Sequence, residues 1–266
     1  MRDILIYGFG NMTSAMVQGW LASGIDPAQI TIFNPRPKPV PRGTVFTDAI
    51  PDRAYDAVVL GFKPHMLGDI APEMQACVGP QTSVLSVLAG ADCATLDQAF
   101  PEAGCTVRFM PNLAVALNKS PNALASANID EDKRAFVTDL AARLGSAEWI
   151  ADEAQFNLVT ALAGSGPGFS FRFIDALASA ASELGLPAEQ AQRIAVQMVD
   201  GAGTLAAASE LTPDQLATRV ASPGGMTREG LNVLDEGEAL KALLTRTLAE
   251  TAQKGSDLAE QARKEG

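Results

Sequence analysis

The stretch that most constrains this chain stands at its start. Ile4-Leu5-Ile6-Tyr7 is a short apolar run of strand-forming residues that opens directly into Gly8-Phe9-Gly10-Asn11-Met12-Thr13-Ser14-Ala15-Met16. This order reads as strand, glycine turn, helix. Gly8 and Gly10 are the first two glycines of the turn that carries a dinucleotide pyrophosphate on a helix N-terminus; its third position is filled by Thr13. Met12, Ala15, Met16 and Gly19 give the helix a face that can pack on a sheet.

The pattern then repeats. Strands are expected at Gln29–Phe33, Asp56–Gly61, Thr82–Leu88 and Cys105–Met110. Two weaker ones follow at 122–127 and 147–150, flanking a helix over 132–144. Alternating strands and helices require a doubly wound parallel sheet of Rossmann type, here expected over 1–150. At the end of the second strand, where an acidic residue would select the ribose hydroxyls of NAD, the chain has Asn34-Pro35-Arg36-Pro37-Lys38. A carboxylate there would repel a 2′-phosphate, whereas Asn34 and Arg36 can hydrogen-bond one, so NADPH is expected over NADH. The third strand runs into Phe62-Lys63-Pro64-His65, which places Lys63 and Pro64 at the ligand-binding edge of the sheet. His65, the single histidine, lacks a carboxylate to orient it and reads as a loop residue.

After Ile150 strand signals cease. Helices are expected over 153–163, interrupted at Gly164-Ser165-Gly166-Pro167-Gly168, then over 169–184, from Pro187 to Ala208, from Thr212-Pro213, and over 238–262. This second half, 151–266, is rich in Ala and Gly. Its own core is therefore thin, and it is expected to pack against a second copy of itself as a homo-oligomer. Within it, Ser222-Pro223-Gly224-Gly225-Met226-Thr227 cannot be helix interior. Its amides, converging before a helix, suit an anion. A plain turn with Ser222 as helix cap is the simpler account of that stretch alone.

Net charge of −11 argues against a nucleic-acid surface. Cys77, Cys93 and Cys105 form no CxxC spacing, which suggests neither a disulfide framework nor a zinc site and points to a reducing compartment. With no apolar run of membrane-spanning length, the expectation is a cytoplasmic protein that contacts no membrane.

The ordered set of motifs resembles the pyrroline-5-carboxylate reductase family. It comprises Gly8-Phe9-Gly10-Asn11-Met12 with Ala15, Asn34 and Arg36, Lys63-Pro64, Ser86 to Gly90, Arg108 to Asn112, Ala163 to Pro167, Glu210 with Pro213 and Leu216, and Ser222-Pro223-Gly224-Gly225 with Thr227. The resemblance implies reduction of a cyclic imine to proline with NAD(P)H. It places Asn112 with the cofactor residues, the substrate carboxylate on Ser222 and the Gly224 and Gly225 amides beside Met226, and the Thr227 hydroxyl at the imine nitrogen. It also brings Glu210 near the site, although a helix-start carboxylate accounts for Glu210 equally well. The chain departs from the family pattern at Leu113-Ala114, where Thr-Pro is usual, at His65 for Gln, at Met226 for Thr, and at the inserted Pro35. These departures leave open a related reductase acting on another cyclic imine, or a catalytically silent NADPH-binding dimer. A β-hydroxyacid dehydrogenase would need a lysine on the first long helix of the second half, and none occurs between Lys133 and Lys241.

Overall fold

The computed structural model describes residues 2–265. Its first half alternates strands and helices: β1 (Ile4–Tyr7), α1 (Asn11–Ala22), β2 (Ile30–Phe33), β3 (Val45–Thr47), β4 (Ala57–Leu60), α2 (Leu67–Glu73), β5 (Ser83–Ser86), α3 (Cys93–Ala99), β6 (Cys105–Met110), β7 (Ser120–Ala125), α4 (Glu131–Ala142) and β8 (Gly145–Trp149). The strands form one sheet in the order β3-β2-β1-β4-β5-β6-β7-β8. β1 and β4 lie side by side although β2 and β3 intervene in sequence, and this is the switch in strand order at which such sheets open a ligand crevice. The Rossmann-type sheet expected from the sequence is present, with two differences. Val45–Thr47 adds an edge strand the sequence reading missed, and β7 runs antiparallel to β6 while β8 is parallel to β7.

The sheet is apolar on both faces because helices cover both. Ile4, Ile6, Ile32, Val59 and Val107 pack toward α1 and α4; Leu5, Tyr7, Val58, Leu60 and Val84 pack toward α2 and α3. Trp20 on α1 is fully buried and donates its indole N–H to the Leu140 carbonyl of α4 at 2.9 Å, so the largest side chain of that layer is both packed and satisfied.

The second half is helical: α5 (Phe156–Val159), α6 (Gly166–Glu183), α7 (Ala188–Ala208), α8 (Pro213–Val220), α9 (Met226–Asp235) and α10 (Ala239–Glu265). A π-helical turn, Thr160–Gly164, stands between α5 and α6 where the sequence suggested a break. By compactness the chain divides at Ser165. One unit runs up to Ser165 and takes in the chain from Glu250 onward; the other is Gly166–Ala249. The boundary read near Ile150 marks the end of the last strand, and the compact division falls later. The helical unit buries small residues, Ala191 and Ala195 of α7 and Ala221, and leaves Phe171, Phe173, Ile194, Val196, Met198, Leu205 and Val233 exposed. An isolated domain would not leave so much apolar side chain in water. No helix among the described residues is long and apolar enough to cross a membrane.

Candidate active site

One candidate site is the glycine turn after β1. Gly8 adopts φ +95, and a Cβ on it would stand 2.9 Å from the Gly61 carbonyl group at the end of β4. Gly61 is the counterpart, since a Cβ there would overlap the Gly8 carbonyl oxygen and come within 2.5 Å of Thr13 Cγ2. The third fingerprint glycine is thus replaced by a threonine whose methyl group fills space that glycine at position 61 leaves free. Thr13 also wires the turn, because its hydroxyl accepts the Gly10 N–H at 2.9 Å and donates to the Gly8 carbonyl at 2.9 Å.

Asn34 buttresses the same turn. Its Oδ1 accepts the Phe9 N–H at 3.1 Å and its Nδ2 donates to the Arg36 carbonyl at 2.6 Å, in a residue that is 8% exposed. The Asn34 amide, expected to face a phosphate, holds the loop through these two bonds, and Arg36 is the exposed group beside it. Lys38, which belongs to no motif, donates from Nζ to the Phe9 carbonyl at 2.7 Å and closes the proline-rich loop onto the turn. With the Phe9 and Gly10 amides so used, the N–H groups of Asn11 and Met12 at the start of α1 remain for an anion, with no acidic side chain in that first turn. The cradle fits a dinucleotide pyrophosphate. Lys63 is exposed at the carboxyl end of β4 as the residue before a 3₁₀ turn, Pro64–Met66, and His65 is exposed on that turn.

Asn112, expected among the cofactor residues, is 5% exposed: its N–H donates to Ser120 Oγ at 3.0 Å, its Oδ1 accepts the Ala114 N–H at 2.8 Å, and its Nδ2 donates to the Ala163 carbonyl at 2.9 Å.

A charge cluster that sequence reasoning did not find joins β6 to the turn before α5. The Arg108 guanidinium, 9% exposed, donates to Glu153 Oε1 at 2.8 Å and lies 3.9 Å over the Phe156 ring; Glu153 also accepts the Cys93 N–H at 2.9 Å. Partial burial works against the ionised Glu153 carboxylate, yet the bonds from the Cys93 amide and Arg108 outweigh it and hold its pKa below the ordinary value of 4.5. A depressed carboxylate pKa stabilises the fold above the unfolded-state value, and this contribution is lost as pH falls through the folded-state pKa. Glu153→Ala, which strands Arg108, is therefore expected to destabilise by about 2–3 kcal/mol at neutral pH, less than a fully buried pair because the carboxylate is partly hydrated. The difference from wild type should shrink in melts taken as pH falls below the ordinary carboxylate range.

A separate candidate turn belongs to the helical unit. Ser222, Pro223, Gly224 and Gly225 form a tight turn with Gly224 at φ +70, closed by the Gly225 N–H on the Ser222 carbonyl at 2.9 Å. The Gly225 amide, expected to grip a carboxylate, is therefore spent on the turn. Gly225 caps α9, and the amides around its start not used to close the turn are those of Gly224, Met226 and Thr227. Ser222, Met226 and Thr227 are exposed, Met226 at 94%. Glu210 is exposed just before α8, whose start is capped by Thr212 and Gln215 rather than by Glu210.

The chain is 31% identical to the pyrroline-5-carboxylate reductase of Pseudomonas aeruginosa over 97% of both chains. The chain belongs to the pyrroline-5-carboxylate reductase family. Residues 153–258 match the family description "Pyrroline-5-carboxylate reductase dimerisation". The Escherichia coli reductase of that name is 29% identical over 97% of this chain and 98% of its own. Among solved structures, that of the Coxiella burnetii pyrroline-5-carboxylate reductase superposes with a TM-score of 0.88 at 28% identity, covering 97% of this chain and 98% of the other. The Plasmodium falciparum pyrroline carboxylate reductase with NADP bound gives a TM-score of 0.81 at 21% identity, covering 97% and 98%. The apolar side chains left exposed on α6, α7 and α9 fall within the matched dimerisation segment.

Proposed function

We infer that this protein reduces 1-pyrroline-5-carboxylate to L-proline with NADPH, as a homodimer or a higher homo-oligomer. One observation carries the reading: the likeness to a reductase of that name extends over 97% of the chain, so both the glycine turn and the Ser222–Thr227 turn fall within it. A reduced nicotinamide supplies the hydride that the C=N carbon receives. The chain's own residues bind, orient and polarise. The Asn11 and Met12 amides take the pyrophosphate, Lys63 and Pro64 border it, and the Arg36 guanidinium takes the 2′-phosphate, NADH remaining a poorer donor. At the other turn, the amides of Gly224 and Met226 with the Ser222 hydroxyl take the substrate carboxylate. The Thr227 hydroxyl hydrogen-bonds the imine nitrogen, with Glu210 nearby. An iminium carbon is already electrophilic, so orientation suffices and no strong side-chain acid is needed, in keeping with a turn that lacks His, Cys and Lys.

The test follows NADPH absorbance with pyrroline-5-carboxylate, with a six-membered cyclic imine, and with NADP and a hydroxyacid in reverse. Oxidation is expected with the five-membered imine at the highest kcat/KM. Preference for the larger ring would move the substrate assignment, and no oxidation with either imine would overturn the reading. In the same assay Arg36→Ala should raise the KM for NADPH by about tenfold or more and leave that for NADH nearly unchanged, the loss of one charge-assisted phosphate contact.

A further inference from the structure

We propose that Asn112 is a positioning residue for the reductase reaction, acting on the Ala163 carbonyl and not on the cofactor, and that Pro167 is what makes it necessary. The proposal rests on the reductase reading. In a continuous helix the carbonyl of residue 163 would accept the N–H of residue 167. Residue 167 is proline and has no N–H. The wide turn Thr160–Gly164 ends with the Ser165 N–H on the Thr160 carbonyl at 3.1 Å, Ser165 lies outside both helices, and α6 starts afresh at Gly166. The Ala163 carbonyl is thereby orphaned, and the Asn112 side chain, fifty-one positions earlier in sequence, supplies the missing donor at 2.9 Å. The Ala114 N–H holds Asn112 Oδ1 and so turns Nδ2 toward Ala163. Where Thr-Pro is usual in the family, position 114 has no N–H to do this, so the lock on the amide belongs to this chain's Leu113-Ala114.

The segment so held lines a cavity within the unit built on the sheet. Gly164 packs toward Met110 at the carboxyl end of β6, and Thr160, Ala161 and Ser165 line a cavity of about 460 Å³ together with Ala89 from the loop after β5. A dinucleotide whose ribose lies at the end of β2 and whose pyrophosphate lies on the turn after β1 extends toward the ends of β4 and β5. Asn112 therefore fixes a wall of the cavity toward which the nicotinamide extends, away from the part that sets cofactor affinity.

The experiment is a double-mutant cycle of Asn112→Ala and Pro167→Ala, read by kcat and KM for pyrroline-5-carboxylate, by NADPH Kd from fluorescence, and by thermal unfolding. Asn112→Ala is expected to lower kcat/KM for the imine by about tenfold or more with NADPH Kd within about twofold, since small misplacements of a reacting partner are costly. In the Pro167→Ala background, where residue 167 regains a donor for Ala163, the same substitution should cost less than about threefold. An equal loss in both backgrounds, or a loss of NADPH affinity matching the loss in kcat/KM, would overturn the proposal. Should Asn112→Ala not fold, Asn112→Asp, of the same size but unable to donate when ionised, takes its place in the cycle. A wild-type protein inert to cyclic imines would overturn the functional reading itself, whereas an active wild type with uncoupled variants defeats only the role of Asn112.

Discussion

Thr227→Ala is expected to lower kcat for the imine by about a hundredfold while NADPH Kd stays within about twofold, the size of effect that follows loss of one hydrogen-bond donor aimed at a reacting group. Thr227 is the second residue of α9, immediately after the Ser222–Gly225 turn, and its side chain is exposed rather than packed. Removing the hydroxyl therefore takes nothing from a core, and the melting temperature should hold. Thr227→Ser, which keeps the donor, should recover most of the rate. If NADPH binding fell in proportion to turnover, or if serine recovered nothing, the hydroxyl would not be acting on the imine nitrogen.

Gly61→Ala should have the other large effect, on both folding and cofactor binding. The added methyl has no open direction, because it would overlap the Gly8 carbonyl oxygen and press on Thr13 Cγ2. The first is backbone of the turn that carries the pyrophosphate, and the second belongs to the side chain that wires that turn. Relief requires the Gly8 turn to shift from β4. A cost of about 3 kcal/mol or more is expected, at the upper end of overpacking effects, together with loss of measurable NADPH affinity. Thr13→Ser in the Gly61→Ala background removes the methyl contact but not the carbonyl overlap, so rescue should be partial. A Gly61→Ala protein with wild-type melting temperature and NADPH Kd would show that the turn is not fixed as described.

Much of the frame could be read from residues because hydrophobic periodicity and glycine placement are local. β1, the Gly8 turn, α1 and the apolar strands β2, β4, β5 and β6 announce themselves in runs of Ile, Val and Leu bounded by Gly or Pro. β3 did not, because three residues at a sheet edge bury too little to leave a pattern. The reversal of β7 carried an unread signal: the link from Met110 to Ser120 holds only a 3₁₀ turn, too short for the crossover that parallel pairing demands. In the site, residue type located the two turns but not the state of each hydrogen-bonding group. Asn34, Asn112 and the Gly225 amide were all placed against ligands, yet their atoms are committed to Phe9 and Arg36, to Ala163 and Ala114, and to Ser222. Arg36, Ala114 and Ser222 are local partners, but Phe9 and Ala163 lie on segments whose proximity depends on the finished fold, as do Arg108 and Glu153, forty-five positions apart.

The compact unit built on the sheet is not a continuous stretch of chain. It begins at the N-terminus, breaks off at Ser165 and resumes at Glu250, where α10 comes back to set Gly255 against Asn157 and the Ser256 hydroxyl under the Asn157 amide at 3.0 Å. The helical unit is thus an insertion within the first one. On the ribosome the sheet emerges early, but the stretch of α10 from Glu250 onward is translated after every residue of Gly166–Ala249, so the older domain can be completed only once the younger has been made.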